Sequence, residues 1–433
     1  MRRTAMQELT SWKSKKNRKP LIIRGARQVG KTWLMKEFGK NEYQQTVYIN
    51  FESTKTLTTL FDQDFDIPRI VTALQIISGI RIEPDNTLII FDEIQEVPGA
   101  LTSLKYFYED APQYHIVAAG SLLGVALHQH TSFPVGKVEF LDLYPLCFKE
   151  FLMAQDQQAL ADLLEQRDWT LIKGFKESFI RFLRFYYYIG GMPEAVLSYR
   201  EQNDFNEVRA IQRRILAAYE QDFSKHAPAD IVPRIRMLWN AVPAQLAKEN
   251  RKFIYGAVKQ GSRAKDFELA LAWLIDCGLV HKICRVSKPA IPLKAYEDYS
   301  VFKLFMNDVG LLAAMGDIDV RTLVEGNTIF EEFKGALTEQ YVLQQLVTLP
   351  ELTIYYWSAE KSSGEIDFLV QHEGKIIPVE VKSAENLQAK SLKSFYARYS
   401  PDMTIRTSMS DYRKEEWLQN LPLYAITELV NLS

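Results

Sequence analysis

The stretch Gly25-Ala26-Arg27-Gln28-Val29-Gly30-Lys31-Thr32 constrains this chain more than any other. It fits the pattern Gly, four residues, Gly-Lys-Ser/Thr, in which backbone amides cradle phosphates. Its flanks suit that role: Leu21-Ile22-Ile23 reads as a buried strand, and Trp33 to Phe38 reads as a helix. Gly25 and Gly30 let the backbone bend around an anion with no Cβ in the way. Amides of the loop and of the helix N-terminus point at the same place. Lys31 would reach the β- and γ-phosphates of ATP, and Thr32 would ligate Mg²⁺. The expected nucleotide contacts are Gly25, Arg27, Gln28, Val29, Gly30, Lys31, Thr32 and Trp33.

A second segment fits the first. Leu88-Ile89-Ile90-Phe91-Asp92-Glu93 is an apolar run that ends in two acids. Such a run suits a strand covered on both faces, as in a parallel sheet. Ligands bind at the C-terminal ends of strands in open α/β sheets, which is where these acids fall. Asp92 would hold the Mg²⁺ that accompanies ATP, and Glu93 would polarise the attacking water. The run His115-Ile116-Val117-Ala118-Ala119 ends in Gly120-Ser121, placing a small polar residue at a third strand tip.

Strands are expected at 21–24, 46–51, 87–91, 115–119 and 135–140, with helices between them. This alternation gives a P-loop α/β fold with a parallel sheet over residues 1–145. The whole chain, at 433 residues, exceeds what one hydrophobic core supports. Residues 146–225 read as helical, with a Gly-Gly-Met-Pro turn at 190–193 where proline opens a helix.

Residues 226–325 read as helix, turn, helix and hairpin, the outline of a winged helix. Its helices are expected at 239–249 and 263–275, and its strands at 279–284 and 290–293. Arg263, Lys265, Lys282, Arg285, Lys288 and Lys294 would be its phosphate-contacting cations. Residues 326–433 carry Glu339 on an expected helix, Asp367 on a strand, and Glu380-Val381-Lys382 on another strand marked by Pro378. Strand period sets Glu380 and Lys382 on one side. Asp367 and Glu380 would pair around a metal completed by Glu339, and Lys382 would position a water attacking a phosphodiester.

Composition excludes several classes. A net charge of −2, with 24% charged residues, exerts no overall pull toward nucleic acid or a membrane. DNA contact would therefore come from local patches. The apolar runs fall short of the roughly 20 residues of a membrane helix. The N-terminus lacks the apolar segment of a signal peptide. Three scattered cysteines fit a reducing, cytoplasmic setting.

The Asp367 and Glu380-x-Lys382 arrangement resembles the restriction-endonuclease-like fold. The chain as a whole resembles a bacterial and archaeal family of AAA-superfamily ATPases with a nuclease-like C-terminal domain. The matching stretches are the 25–32 loop, Phe91 to Gln95, Gly120-Ser121, Pro134 to Val138, Leu143 to Leu146, Gly190 to Glu194 and Gly364 to Phe368. The resemblance implies that Ser121 senses the γ-phosphate. It also implies that residues 146–225 form a lid whose Pro193 contacts adenine. Lys137 stands where that family often has arginine, and a lysine lacks the forked geometry of a guanidinium.

The function expected is Mg²⁺-dependent ATP hydrolysis coupled to a nuclease-like domain that acts on nucleic acid. The alternative is an ATP-dependent switch that binds a protein partner, or a second copy, without cleavage. No membrane association is expected.

Overall fold

A computed structural model describes the chain except at residues 54–58, 62–64, 121–133, 248–251, 325–330, 360–363, 384–388 and 433. Two compact units emerge: Met1–Tyr144 with Asp276–Leu279, and Pro145–Ile275 with Val280–Ser433.

In the first unit, helix α1 (Ala5–Lys13) precedes β1 (Leu21–Arg24). The phosphate-loop pattern then leads into α2 (Lys31–Glu42). After these come β2 (Gln45–Asn50), α3 (Ile67–Ser78), β3 (Thr87–Asp92), α4 (Pro98–Asp110), β4 (His115–Ala119) and β5 (Glu139–Asp142). The five strands run parallel in the order β2-β3-β4-β1-β5. Every residue of β3 and of β4 is buried, which accounts for their unbroken apolar runs. Ile89, Phe91, Ile116 and Ala118 enter one core with Ile70 and Leu74 of α3 and Leu104 and Phe107 of α4. The last strand begins at Glu139 rather than at residue 135, since Pro134 to Lys137 form a turn.

The second unit begins with helices α5 (Phe148–Ala154), α6 (Gln158–Gln166), α7 (Trp169–Gly174), α8 (Lys176–Ile189), α9 (Pro193–Gln202), α10 (Phe205–His226) and α11 (Val232–Leu246). Short helix α12 (Tyr255–Val258) and α13 (Glu268–Asp276) lead to β6 (Val280–Val286) and β7 (Glu297–Met306). Then come α14 (Val309–Met315), α15 (Val320–Val324), α16 (Glu331–Leu346), β8 (Thr353–Ser358), β9 (Glu365–His372) and β10 (Lys375–Val381). The unit closes with α17 (Lys390–Tyr399), β11 (Ile405–Ser408), β12 (Arg413–Lys414) and β13 (Gln419–Pro422). Its mixed sheet has the order β12-β13-β11-β10-β9-β8-β6-β7.

This sheet redraws the expected boundaries. The hairpin read as a wing is the β6–β7 edge of the large sheet, because β6 pairs in parallel with β8. Residues 290–293 are not its second strand; that strand starts at Glu297. The cation Arg285 is occupied by Asp298 at 2.6 Å, so it is already neutralised on the hairpin. Pro378 does not mark a sheet edge, because β10 lies between β9 and β11. Pairing with β11 starts only at Val379, so that ladder asks no N–H of the proline.

The helical segment 146–225 lies in the same unit as this sheet. Its Gly190-Gly191 turn wraps a buried carboxylate, Asp308, which caps α14. Asp308 accepts hydrogen bonds from the Gly191 amide at 2.6 Å, the Leu311 amide at 3.0 Å and Gln344 Nε2 at 3.0 Å. Burial pushes its carboxyl upward, and the donated amide bonds oppose that shift. Gly190 has φ of 75°, and a Cβ there would strike the Asp308 carboxylate. Among the described residues, no helix is long and apolar enough to cross a membrane.

Candidate functional site

The phosphate loop sits at the C-terminal end of β1, the middle of three strands beside β4 and β5. Gly25 (φ 143°), Gln28 (φ 67°) and Gly30 (φ 96°) take backbone conformations that turn the chain into α2. At Gly25 the carbonyl of Leu143 fills the space a Cβ would need. Val29 is fully buried, whereas Gln28 and Trp33 are exposed at the loop and on the first turn of α2. Arg27 is half-buried.

Lys31 opens α2 and is 7% exposed. Its Nζ donates to the carbonyls of Gly25 and Ala26, each at 2.8 Å. Burial, countered by Glu93 and Asp92, holds its ammonium down at about 8. The next residue links the two motifs: Thr32 Oγ1 donates to Asp92 Oδ2 at 2.7 Å. Asp92 ends β3 and is 3% exposed. Glu93 follows in a left-handed conformation, φ 51°, and its Oε2 accepts from Gln95 Nε2 at 2.7 Å. The loop lysine, the Thr-Asp pair and Glu93 thus share one edge of the sheet. A cation held by Thr32 and Asp92 and a water beside Glu93 fit this donor set.

Two further residues escaped the sequence reading. Tyr48 of β2 donates to the same Asp92 Oδ2 at 2.8 Å, and Lys36 Nζ lies 3.7 Å from its ring centre. Burial, the largest cause, pushes its phenol up to about 12. Alternation in β2 could have shown it: Val47 and Ile49 are apolar, while Tyr48 and Asn50 take the other face toward the ligand end. Arg3 is buried and donates from Nη1 to the Val29 carbonyl at 3.0 Å and from Nη2 to the Tyr144 carbonyl at 2.6 Å. It fastens the phosphate loop to the segment after β5, and no local pattern around Met1-Arg2-Arg3 announces that.

Other expectations fall elsewhere. Ser121 lies outside the described residues. Lys137 stands before the start of β5, at the opposite end of the parallel sheet from the loop. It is held by Glu109 at 2.8 Å, which raises its ammonium, so it is no charge stabiliser for the site. Pro193 is the first residue of α9 in the second unit, where the preceding glycines pack around Asp308.

The C-terminal residues form a second centre in the second unit. Register sets Val379 opposite Phe368, so Asp367 and Glu380 are the next cross-strand neighbours. Asp367 Oδ2 accepts from the Val381 amide at 2.7 Å, and Lys382 Nζ lies 2.7 Å from Glu380 Oε1. Burial first, then the Asp367 charge, raises the Glu380 carboxyl, whose Oε2 is buried without a hydrogen-bond partner. Glu339, however, turns to Lys303 at 3.6 Å. Among the described residues no three His, Cys, Asp or Glu side chains converge to hold a metal. Among the described residues, Asp367 and Glu380 are cross-strand neighbours while Glu339 approaches Lys303.

Comparison with known proteins divides the chain in three. Residues 17–152 match the AAA domain family. Residues 180–322 and 334–426 match two domains of unknown function, DUF8612 and DUF4143. No curated protein matches the chain. Among solved structures, a Walker-type ATPase of Pyrococcus abyssi is 14% identical, with 73% of this chain and 95% of that one covered and a TM-score of 0.45. The ORC1 protein of Aeropyrum pernix, solved in complex with DNA, is 13% identical over 72% and 90%, with a TM-score of 0.25. Protein VC1899 from Vibrio cholerae is 10% identical over 95% and 96%, with a TM-score of 0.18. Likenesses this slight carry no further assignment. The match to the AAA domain family covers the segment that holds Lys31, Thr32, Asp92 and Glu93.

Proposed function

We propose that the chain is a Mg²⁺-dependent ATPase whose nucleotide state governs its second unit. The observation that carries this reading is the Thr32–Asp92 hydrogen bond of 2.7 Å beside the buried Lys31. Mg²⁺ bound with ATP would neutralise charge on the β- and γ-phosphate oxygens. The loop amides and Lys31 hold those oxygens. Thr32 and Asp92 would place the cation, with Tyr48 donating to the same Asp92 oxygen as Thr32. Glu93 orients the attacking water and accepts its proton, and Gln95 holds that carboxylate in place. Ser121 senses the γ-phosphate and Pro193 contacts adenine in this reading; both assignments rest on the family resemblance. Phosphate release from Mg²⁺-ATP by the purified protein tests the proposal. Lys31→Ala should abolish turnover, and Glu93→Gln should slow it about 10²–10⁴-fold while ATP still binds. Normal turnover by Lys31→Ala would sink the reading.

For the C-terminal centre, adjacency of Asp367 and Glu380 on antiparallel strands, with Lys382 just after β10 beside Glu380, supports a nuclease-like site acting on nucleic acid. The engagement of Glu339 by Lys303 favours the second reading, in which the unit binds a partner without cutting it. Incubation with plasmid, single-stranded DNA and RNA under Mg²⁺ or Mn²⁺ separates them. Cutting lost in Asp367→Ala supports the nuclease; its absence on every substrate supports the switch.

A further inference from the structure

Lys303 lies on β7, outside the segment that carries the expected nuclease-like residues, and is fully buried. Its Nζ approaches Glu365 Oε1 of β9 at 2.6 Å and Glu339 Oε2 of α16 at 3.6 Å. It lies 5.0 Å from the ring centre of Tyr356 on β8. These are charge–charge approaches rather than aligned hydrogen bonds, since the ammonium finds no geometrically suitable acceptor. Glu365 and Asp367 both lie on β9, where the pairing with β8 shifts register between Ile366 and Leu369. Lys303, Glu339 and Glu365 therefore form a cation–carboxylate triad, buried at Lys303 and Glu339 and partly open at Glu365, two residues along β9 from Asp367.

Here the buried ammonium is compensated by carboxylates, and the buried Glu339 carboxylate by that cation. A divalent metal on Glu339 would have to enter beside a positive charge already in place. We infer that Lys303 is the built-in cation of this centre, standing where a metal ion at Glu339 would stand, and that Glu339 is not a metal ligand. The triad also crosses the two matched segments. Lys303 belongs to residues 180–322, and its partners belong to residues 334–426. The two segments thus build one centre, and neither contains it alone. The inference concerns Glu339 and goes beyond the question of whether Asp367 and Glu380 hold metal.

Mn²⁺ binding to the nucleotide-free full chain tests it, read by electron paramagnetic resonance of free Mn²⁺. An Asp92→Asn background removes the metal ligand at the phosphate loop. Glu339→Gln should leave Mn²⁺ stoichiometry and affinity as in the parent. Lys303→Met should gain one Mn²⁺ per chain, and adding Glu339→Gln to it should remove that gain. A loss of parental Mn²⁺ affinity of tenfold or more in Glu339→Gln overturns the inference, as does a folded Lys303→Met with no gain. If Lys303→Met does not fold, the Glu339→Gln comparison decides alone. In a parent that binds no Mn²⁺ the Lys303→Met variant decides: a gained Mn²⁺ that Glu339→Gln removes supports the inference, and no gain overturns it.

Discussion

At the scale of single residues, Lys31 couples its charge to its burial. Its folded pKa of about 8 lies below the ordinary value of 10.5. Below pH 8 both folded and unfolded chains carry the charge, and its burial cost is fully present. As pH rises from about 8 toward 10.5 the folded chain sheds the proton first, so that cost is relieved. Nucleotide phosphates favour the charged form. ATP binding should therefore take up no proton on Lys31 at pH 7 and approach about one at pH 9 to 10. Calorimetry in two buffers of different ionisation enthalpy measures this, and affinity should fall across the same window. Tyr48 gives a second prediction. Tyr48→Phe removes one of two donors on Asp92 Oδ2 while keeping the ring under Lys36. Turnover should drop about tenfold, equivalent to about 1.4 kcal/mol, with KM for ATP little changed, as steady-state phosphate release would show.

At the scale of elements, the Gly-Gly-Met-Pro turn owes its residues to packing. Gly191 brings its amide to Asp308 and its carbonyl to the Leu146 amide, at 2.6 and 2.7 Å. Asp308 is met in turn by Gln344 of α16, whose Oε1 accepts from the Val309 amide at 2.8 Å. Helix α16 is unusual in burying Thr338, Glu339, Gln340, Gln344 and Gln345 together. Each glutamine there serves a backbone group at an element end, such as the Phe148 amide at 2.6 Å and the Met306 amide at 2.9 Å. Asp308→Ala strands several buried donors at once. It should lower unfolding stability by about 3 kcal/mol, seen as an earlier denaturation midpoint with an unchanged slope. The glycines were visible in the sequence as a turn, but Asp308 was not. Nothing local to Asn307-Asp308-Val309 indicates that a turn far earlier in the chain will close over it.

At the scale of the whole molecule, the chain organises as two units, with 146–225, 226–325 and 326–433 represented in the second. A fragment of residues 146–325 would lack α16, leaving Asp308, Phe148 and Met306 without their glutamine partners. It should aggregate or remain unfolded, whereas residues 145–433 together should give a cooperative transition by circular dichroism. Strands β1, β3 and β4 were legible because a parallel sheet buried on both faces demands unbroken apolar runs. Strands β8, β11 and β13 were not, since their residues mix polar and apolar types inside a sheet whose order joins distant segments. Strand β6 was legible, but its partner was expected at residues 290–293 rather than at β7, and membership in that sheet depended on β8.

The sequence by itself determined the phosphate loop, the Asp92–Glu93 strand end and the α/β layer that holds them. Each depends on short-range pattern: glycine where the backbone must turn, apolar runs where strands are covered, and an acid at a strand tip. Only the tertiary structure decided that Tyr48 and Arg3 belong to that site, that Gly190 and Gly191 encircle Asp308, and that Lys303 faces Glu339. Those are contacts between residues remote in sequence. Burial makes them matter, because a charge or amide removed from water must find its partner wherever the fold supplies one.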